Sequence, residues 1–231
     1  MTRNWMEELL SAIADADRAL ASELIEAWAQ EHSHEAAVTG LLTPTLNEFG
    51  IRWAAAGHDV SLSQGYVAAK VAEDLLLKIL ANRQATGNTP PTERGTVVLG
   101  NVQDDYHPLG RKMVAAFLRM AGWRVCDLGV DVEPAAFVDA AVANGARVIG
   151  ASAMMLSTAR NVPQLRAEIN NRGLEGRVQL AVGGAVFKLR PELVAEFGGD
   201  GTAGDALQAP ALIEQLWATS CRLHPEAMEA L

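Results

Sequence analysis

Two hydrophobic patterns divide the chain near residue 90. Residues 5 to 82 carry apolar side chains at intervals of three and four, the spacing of amphipathic helices, as in Leu42, Leu46 and Phe49. Pro44 is expected either to kink a helix here or to mark its first turn. Polar breaks separate four predicted helices, at residues 4–14, 17–31, 34–55 and 61–83. This half is therefore predicted to be a four-helix bundle, a domain spanning residues 1–83.

The second half alternates short β-branched runs with helical ones. A polar stretch with glycine and paired prolines but no periodicity, residues 84–94, is typical of a linker and precedes it. Strands are predicted at 95–101, 123–128, 147–152, 177–182 and near 200–203. Helices are predicted at 108–121, 133–144, 159–172, 189–197 and 205–219. Alternating strands and helices indicate a five-stranded parallel sheet with helices on both faces, a domain over residues 95–231.

Composition and charge exclude several classes of function. The 231 residues are 49% hydrophobic, as in a globular protein, and the net charge is -9 without any cluster of Lys and Arg, so nucleic acid is not an expected partner. The two cysteines have neither a disulfide-framework pattern nor a metal-binding spacing. No apolar run is long enough for a membrane span, and the first residues do not form a signal peptide. We therefore expect a cytoplasmic protein without a membrane anchor.

Unusual residues of the second half fall where predicted strands end. In a parallel sheet the carboxyl ends of the strands share one edge, and ligands bind beyond that edge. Four segments meet this condition: Asp104 to Gly110 after the first strand, Ser152 after the third, Gly183-Gly184 after the fourth and Thr202 to Ala206 after the fifth. One shared site is the prediction.

The segment Asp104-Asp105-Tyr106-His107-Pro108-Leu109-Gly110 carries the chemistry. On an irregular loop, Asp105 and His107 can lean the same way, so that the carboxylate holds one imidazole nitrogen and the other faces outward. This arrangement fixes the tautomer of a histidine that binds a metal. Gly110 would let the chain approach a bulky ligand closely. Because one histidine cannot hold a bare ion, a metal bound here must arrive with its other coordination positions filled, as in a macrocycle.

Other interpretations of these residues stay open at this point. His107 could be an exposed or capping residue at the start of a helix with Pro108 in its first turn. A catalytic pair of His107 and Asp105 lacks a nucleophile, since Ser152 does not lie in a Gly-x-Ser-x-Gly turn. A dinucleotide site is disfavoured, because the segment after the first strand has no second or third glycine of the G-x-G-x-x-G pattern.

The ordered set Asp105-x-His107-x-x-Gly110, Ser152-x-Met154 and Gly183-Gly184 resembles the cobalamin-binding domain of methionine synthase and of corrinoid proteins, in which the usual pattern is D-x-H-x-x-G, S-x-L and GG. The run from Gly40 to Trp53 and the segment Ser61-Leu62-Ser63-Gln64 resemble the helical cap that precedes this domain. The resemblance covers about residues 5 to 218. It implies a helical cap followed by a Rossmann-like, flavodoxin-like domain.

The resemblance also implies roles for individual residues. His107 would bind cobalt from below in place of the displaced dimethylbenzimidazole base, and Asp105 would hold its imidazole. Trp53 and Leu62 would cover the upper face. The displaced nucleotide tail would run between the strand ends. The cofactor-binding residues implied in all are Asp104, Asp105, Tyr106, His107, Pro108, Gly110, Ser152, Met154, Leu156, Gly183, Gly184, Thr202, Ala203, Asp205, Trp53 and Leu62.

This sequence departs from the family pattern at three positions. Pro108 replaces a common Asp or Glu, Met154 replaces Leu, and Leu156 stands where threonine is frequent, with Ser157 and Thr158 as available substitutes. The contacts around the tail therefore differ from the usual set. A light sensor of this family would carry a Glu-His pair where this chain has Gly65 and Tyr66, which disfavours that function.

The function implied is that of a corrinoid carrier. The cofactor would be cobalamin, as methylcobalamin, cob(II)alamin or hydroxocobalamin, bound base-off with histidine on. The chain would not turn over substrate alone but would shuttle a methyl group between methyltransferase subunits, with a reductive activator as a further partner and a homo-oligomer left open. The alternative is a cobalamin-dependent sensor that acts through protein contacts, because no DNA-binding helix pair or basic face precedes the cap.

Overall fold

The computed structural model describes residues 3–56 and 94–225, and between them residues 64, 67, 70–72, 74, 75, 78, 79 and 81. The contacts of the chain divide it into two compact units, Met1–Asn88 and Thr89–Leu231, called here the helical unit and the α/β unit. Of the predicted linker, only Arg94 is described, so its course lies outside the described residues.

The helical unit contains α1 (Trp5–Ala14), α2 (Arg18–His32), α3 (His34–Ala37) and α4 (Thr43–Ala56). The side chains of Asn4, Asp17 and Ser33 accept hydrogen bonds from the first turns of α1, α2 and α3, which is how such residues begin helices. The residues described within the predicted fourth helix are also helical. The core is apolar, with Leu9, Ile13, Leu41, Leu42 and Ile79 fully buried.

One turn of the predicted third helix is wider than an α-helix. Val38–Leu42 forms a π-helical turn between α3 and α4, so that helical structure runs from 34 to 56 without a break. Pro44 explains this turn, because proline has no amide to donate and its ring clashes with the carbonyl four residues earlier. Pro44 therefore lies in the first turn of α4, which is one of the two expected outcomes, and the turn before it is the wider one.

The α/β unit is built on a parallel sheet of four strands in the order β2-β1-β3-β4. The strands are β1 (Thr96–Asn101), β2 (Arg124–Asp127), β3 (Val148–Ser152) and β4 (Gln179–Gly183). The helices are α5 (Leu109–Met120), α6 (Pro134–Ala143), α7 (Leu156–Ala159), α8 (Val162–Asn171), α9 (Ala185–Leu189), α10 (Glu192–Glu196) and α11 (Ala209–Leu223).

Helices cover both faces of this sheet. Alternate residues of β1 point to opposite faces, so Val97 and Leu99 pack with α5 and α11, while Val98 packs on the other side with α6 and α8. Strands β1 and β4 are almost wholly buried, as a doubly covered parallel sheet requires. The carboxyl ends of β1, β3 and β4 consequently form one edge, from which the predicted site residues extend.

The prediction of a fifth strand near 200–203 is wrong for the described residues. Gly201 forms one isolated parallel bridge with Ala181, and residues 202–203 are not in a strand. The Asp200 carboxylate accepts the Leu180 amide at 2.6 Å, a bond that the backbone carbonyl of a fifth strand would otherwise make. Glycines at 198, 199 and 201 further weaken a strand. The predicted helices 159–172 and 189–197 correspond to α8 and α10, and each follows a short helix, α7 or α9, that was not predicted as a separate element.

Candidate functional site

The loop after β1 is built around the buried carboxylate of Asp105. This side chain is fully inaccessible, although the residues on either side of it are exposed. Its Oδ1 accepts hydrogen bonds from Asn101 Nδ2 at 2.8 Å and from the His107 amide at 3.0 Å. Its Oδ2 accepts from the Met154 amide at 2.7 Å and from Thr158 Oγ1 at 2.9 Å. We call these five residues the Asp105 network.

The Asp105 network stabilises the ionised carboxylate. Burial alone would raise the pKa of Asp105, since it disfavours the charged form. The bonds from Met154, His107, Asn101 and Thr158 together outweigh burial and hold this pKa below its ordinary value. A fixed negative charge therefore lies beneath the loop, and it connects the end of β1 to the segment after β3.

The imidazole of His107 lies beside this charge and is open to solvent. Its side chain is 44% exposed, and its Nδ1 lies 3.4 Å from Asp105 Oδ1, longer than the hydrogen bond expected from the sequence. The backbone of His107 is held on both sides, because its carbonyl also accepts from Asn101 Nδ2 at 3.0 Å. Pro108 precedes α5 as its N-cap residue. The loop thus presents one imidazole from a backbone that is fixed from within.

Three residues that the sequence analysis did not single out support this loop from below. Arg111 is 6% exposed, and its Nε donates to Asn101 Oδ1 at 2.7 Å. Its Nη1 lies against the carboxylate of Asp127, at the end of β2. Asn101 therefore accepts from Arg111 and donates to Asp105, which fixes the orientation of its amide. An amide at the end of an apolar strand was the available sequence signal, because buried amides require partners.

A cleft of about 290 Å³ opens between the strand ends of the α/β unit. Its polar lining includes Ser152, Lys188 and Asp205, while its walls are mainly apolar. A Cβ built on Gly110 or Gly183 would meet no atom within 4 Å, so both glycines face open space. Gly184 differs, because its φ is +112° and an added Cβ would lie 2.0 Å from the Ala153 carbonyl oxygen.

The structure brings most of the predicted site residues to this edge of the sheet. Gly110, Ser152, Gly183, Gly184, Ala203 and Asp205 line the cleft. Asp104 and Tyr106 lie on the loop outside it, and Met154 contributes its amide to the Asp105 network while its side chain is exposed.

Four predicted site residues are placed elsewhere or are not described. The side chain of Leu156 packs against the core cluster and does not line the cleft, and Thr202 is not among the lining residues. Thr158, an available substitute for the threonine missing at 156, supplies the hydroxyl to Asp105. Trp53 lies in α4 but its side chain is not among those described, and Leu62 lies outside the described residues.

Comparisons with known proteins identify the family. Residues 95–211 match the model of the B12 binding domain, which is half of the chain. The chain is also 31% identical over 185 residues to trimethylamine corrinoid protein 2 of Methanosarcina acetivorans, covering 78% of this chain and 83% of that protein. The chain belongs to the B12-binding corrinoid proteins. Its cofactor is a corrinoid.

Solved structures of corrinoid proteins share the fold. The monomethylamine corrinoid protein of Methanosarcina barkeri superposes with a TM-score of 0.72 at 23% identity, over 90% of this chain and 96% of that one. The methanol:cobalamin methyltransferase complex of the same organism contains a chain that matches with a TM-score of 0.51 at 22% identity, over 94% of this chain and 81% of that one. A helical region followed by a parallel α/β domain is therefore the architecture of this family.

The α/β unit fits a corrinoid. Among the described residues, no group of three or more His, Cys, Asp and Glu side chains could hold a bare metal ion. A single half-exposed imidazole suits a metal whose other positions are filled by a macrocycle. The cleft, with two glycines facing its open space, adjoins the loop at Gly110. None of the helices in the described part of the chain has the length and apolar character needed to cross a membrane.

Proposed function

We propose that this corrinoid protein binds cobalamin with the base off and His107 on, and carries a methyl group between methyltransferase subunits. The observation that supports this most is the half-exposed imidazole of His107 beside the fully buried, four-bonded carboxylate of Asp105. No other described histidine lies next to a carboxylate held in this way.

Asp105 would determine which imidazole nitrogen faces the metal. Its charge lies next to Nδ1 and favours a proton there, which leaves Nε2 free as the ligand. Because four donors hold the carboxylate, it cannot turn away when the imidazole moves. The residue is thus an orienting group for His107 and a store of fixed charge, and it takes no part in the chemistry itself.

The cleft between the strand ends would hold the nucleotide tail. Its volume of about 290 Å³ is at the lower limit for a small-molecule site, and its few polar groups are separated by apolar walls. Ser152 would contact the base, Gly183 would leave room for the tail, and Ala203 and Asp205 would form the far wall. Trp53 and Leu62 remain predictions for the upper face.

When bound, cobalt supplies the centre that accepts a methyl group and hands it on. The described residues contain no barrel to bind a methyl donor or acceptor, so the chain needs partners. The methanol:cobalamin methyltransferase complex contains a chain of this fold, which supports a methyltransferase as the partner. The similarity to a trimethylamine corrinoid protein supports a methylamine system. A methyltransferase subunit and a reductive activator are the partners proposed.

The lower ligand can be tested by spectroscopy. Purified protein would be loaded with hydroxocobalamin, reduced to cob(II)alamin and examined by electron paramagnetic resonance. The expected spectrum shows coupling to one nitrogen from an imidazole, and ring-labelled ¹⁵N-histidine should change that coupling. His107→Ala should remove the coupling that responds to the ¹⁵N-histidine label, whereas His32→Ala, which removes an exposed histidine of the helical unit, should leave that coupling unchanged. A coupling that still responds to the ¹⁵N-histidine label in His107→Ala would overturn the assignment.

The carrier function can be tested on the same material. Reduced, loaded protein would be given a ¹³C-labelled methylamine together with a methylamine methyltransferase, and the label bound to the protein would be measured. A carrier takes up the label and loses it to an added acceptor. Cofactor binding without any uptake would contradict the proposal and favour the sensor alternative.

A further inference from the structure

Asp131, in the loop after β2, contacts the His107 loop at three points. Its Oδ1 accepts the Asp104 amide at 2.8 Å, and its Oδ2 accepts the Tyr106 hydroxyl at 2.7 Å. Its own amide donates to the Asp105 carbonyl at 3.2 Å. We call this set of bonds the Asp131 bridge. It joins two loops that are 27 residues apart in sequence, and it holds each of the three residues that precede His107.

Backbone geometry indicates that surrounding contacts hold the Asp131 bridge in a defined conformation. Asp104 and Asp131 both have positive φ, at +65° and +56°, a conformation rare outside glycine. Such a conformation persists where surrounding contacts determine it. The two residues are joined by the 2.8 Å bond between the Asp104 amide and the Asp131 carboxylate, so each left-handed position supports the other.

The electrostatics of the bridge agree with this geometry. Hydrogen bonds from the Asp104 amide and then from the Tyr106 hydroxyl hold the pKa of Asp131 below its ordinary value. The hydrogen bond from the Tyr106 hydroxyl to Asp131 raises the pKa of Tyr106. The carboxylate is thus the charged acceptor and the phenol the neutral donor. The Asp131 bridge is exposed to solvent, whereas the carboxylate of the Asp105 network is buried.

We propose that Asp131 is a positioning residue for His107, acting from the outer side of the loop through Tyr106 and the Asp104 amide. The inference rests on the proposed binding of cobalt by His107. The two carboxylates have different roles, because Asp105 holds the backbone and the inner side of the imidazole, whereas Asp131 prevents the preceding turn from swinging outward. Because the outer bonds are exposed, they can open without disrupting the Asp105 network. They therefore determine how readily the imidazole gives up its ligand position.

Three variants separate the carboxylate from the backbone conformation. Asp131→Gly removes the carboxylate but tolerates φ of +56° without strain, so it is the decisive change. Asp131→Asn keeps the left-handed preference and one acceptor oxygen, and should give partial rescue. Glu133→Gln is the matched control, because it removes a negative charge two residues from Asp131. The Glu133 side chain makes no capping hydrogen bond to the helix that follows it.

The readout is the ease with which the lower ligand is displaced. Each protein would be loaded with cyanocobalamin, and cyanide would be titrated while the absorbance of the dicyano form is followed, since the second cyanide replaces the lower ligand. Asp131→Gly should lower the half-conversion concentration about fivefold, as expected for lost hydrogen bonds to a charged acceptor. Glu133→Gln should match the unaltered protein.

A second measurement needs no cofactor. Hydrogen exchange of the Asp104 amide in the cofactor-free protein should quicken in Asp131→Gly but not in Glu133→Gln. If exchange quickens while the cyanide titration is unchanged, the bridge is structural only and the inference is overturned. If the unaltered protein shows no imidazole ligand by resonance, the proposed function has failed instead, so the two failures are distinguishable.

Discussion

In the helical unit charged side chains pair at the surface, whereas the α/β unit buries a carboxylate, an amide and a guanidinium at the end of its sheet. Arg18–Asp74, Arg52–Glu7 and Lys78–Glu26 all keep a third or more of each side chain exposed. Thr45 is the one polar residue buried among those described in the helical unit. The carboxylate of the Asp105 network, by contrast, is shielded from solvent.

This difference indicates where the function lies. Exposed ion pairs contribute little free energy and serve mainly solubility. A buried charge disfavours folding unless every lone pair is satisfied, so its presence indicates that the group orients something else. In the α/β unit we propose that the oriented group is His107, whose Nδ1 lies 3.4 Å from the Asp105 carboxylate. The comparison predicts large effects for changes at the sheet edge and small ones for changes at the ion pairs.

The largest effect is expected for Asp105→Ala. Four donors would lose their acceptor, and we expect the free energy of unfolding to fall by about 3 to 5 kcal/mol. Chemical denaturation at neutral pH measures the change. Asp139→Ala, which removes a largely exposed partner of Arg172, is the matched control and should have little effect. Equal effects at the two positions would remove the distinction between buried and exposed carboxylates.

Gly184→Ala should have the next largest effect. Its Cβ would meet the Ala153 carbonyl in a backbone conformation that favours glycine, so we expect a loss of at least about 2 kcal/mol. Gly183→Ala is the control within the same pair, since its Cβ meets nothing. Thermal unfolding should separate the two variants.

Gly183→Ala should instead weaken cobalamin binding, measured by equilibrium dialysis, and normal binding would argue against a tail in this cleft.

Thr158→Val tests one bond of the Asp105 network without changing side-chain size. The loss of the 2.9 Å bond to Asp105 should cost about 1 to 2 kcal/mol and reduce the fraction of cofactor with histidine bound. Thr158→Ser keeps the hydroxyl and should retain the histidine-bound spectrum. A valine variant with an unchanged spectrum and stability would show that the hydroxyl is dispensable.

Glu26→Gln is expected to have the smallest effect. The hydrogen bond from Lys78 to Glu26 lowers the pKa of this carboxyl group below 4.5, although burial acts in the opposite direction. The charges of Lys78 and His34 lower it further. The ionised form therefore stabilises the fold above pH 4.5, and this contribution is lost as the pH falls through the lowered pKa. We expect about 0.5 kcal/mol at pH 7 and less in strong salt, because the pair is exposed. Denaturation at pH 7 and near pH 3.5 measures both limits, and a difference that grows at acid pH would contradict this sign.

Local patterns were sufficient to predict most elements of the fold. The four strands begin and end within about two residues of their predicted bounds, because β-branched runs between turn residues are a local signal. The prediction of a fifth strand was wrong because the Leu180 amide donates its hydrogen bond to the Asp200 carboxylate and not to a backbone carbonyl of a neighbouring strand. Side-chain competition of this kind is not visible in a hydrophobic pattern.

The candidate site was only partly predictable. Asp105, His107 and Gly110 lie close together in the sequence, so their spacing carries a signal, whereas Arg111 and Asp127 meet only through the pairing of β1 with β2. Asp131 is further still from the motif, and the sequence indicates neither its left-handed backbone nor its contact with Tyr106. Contacts between loops depend on strand register, which a single sequence does not specify.

The Asp105 network has a consequence for protein engineering. A designer who transplants only the short Asp-x-His-x-x-Gly segment onto another parallel scaffold would leave its acid without three of its four donors, since Asn101, Met154 and Thr158 lie outside that segment. A working graft must bring together the end of β1, the start of the loop after β3 and the short helix α7, because these carry Asn101, Met154 and Thr158. The transferable unit is a corner of tertiary structure, and its sequence is discontinuous.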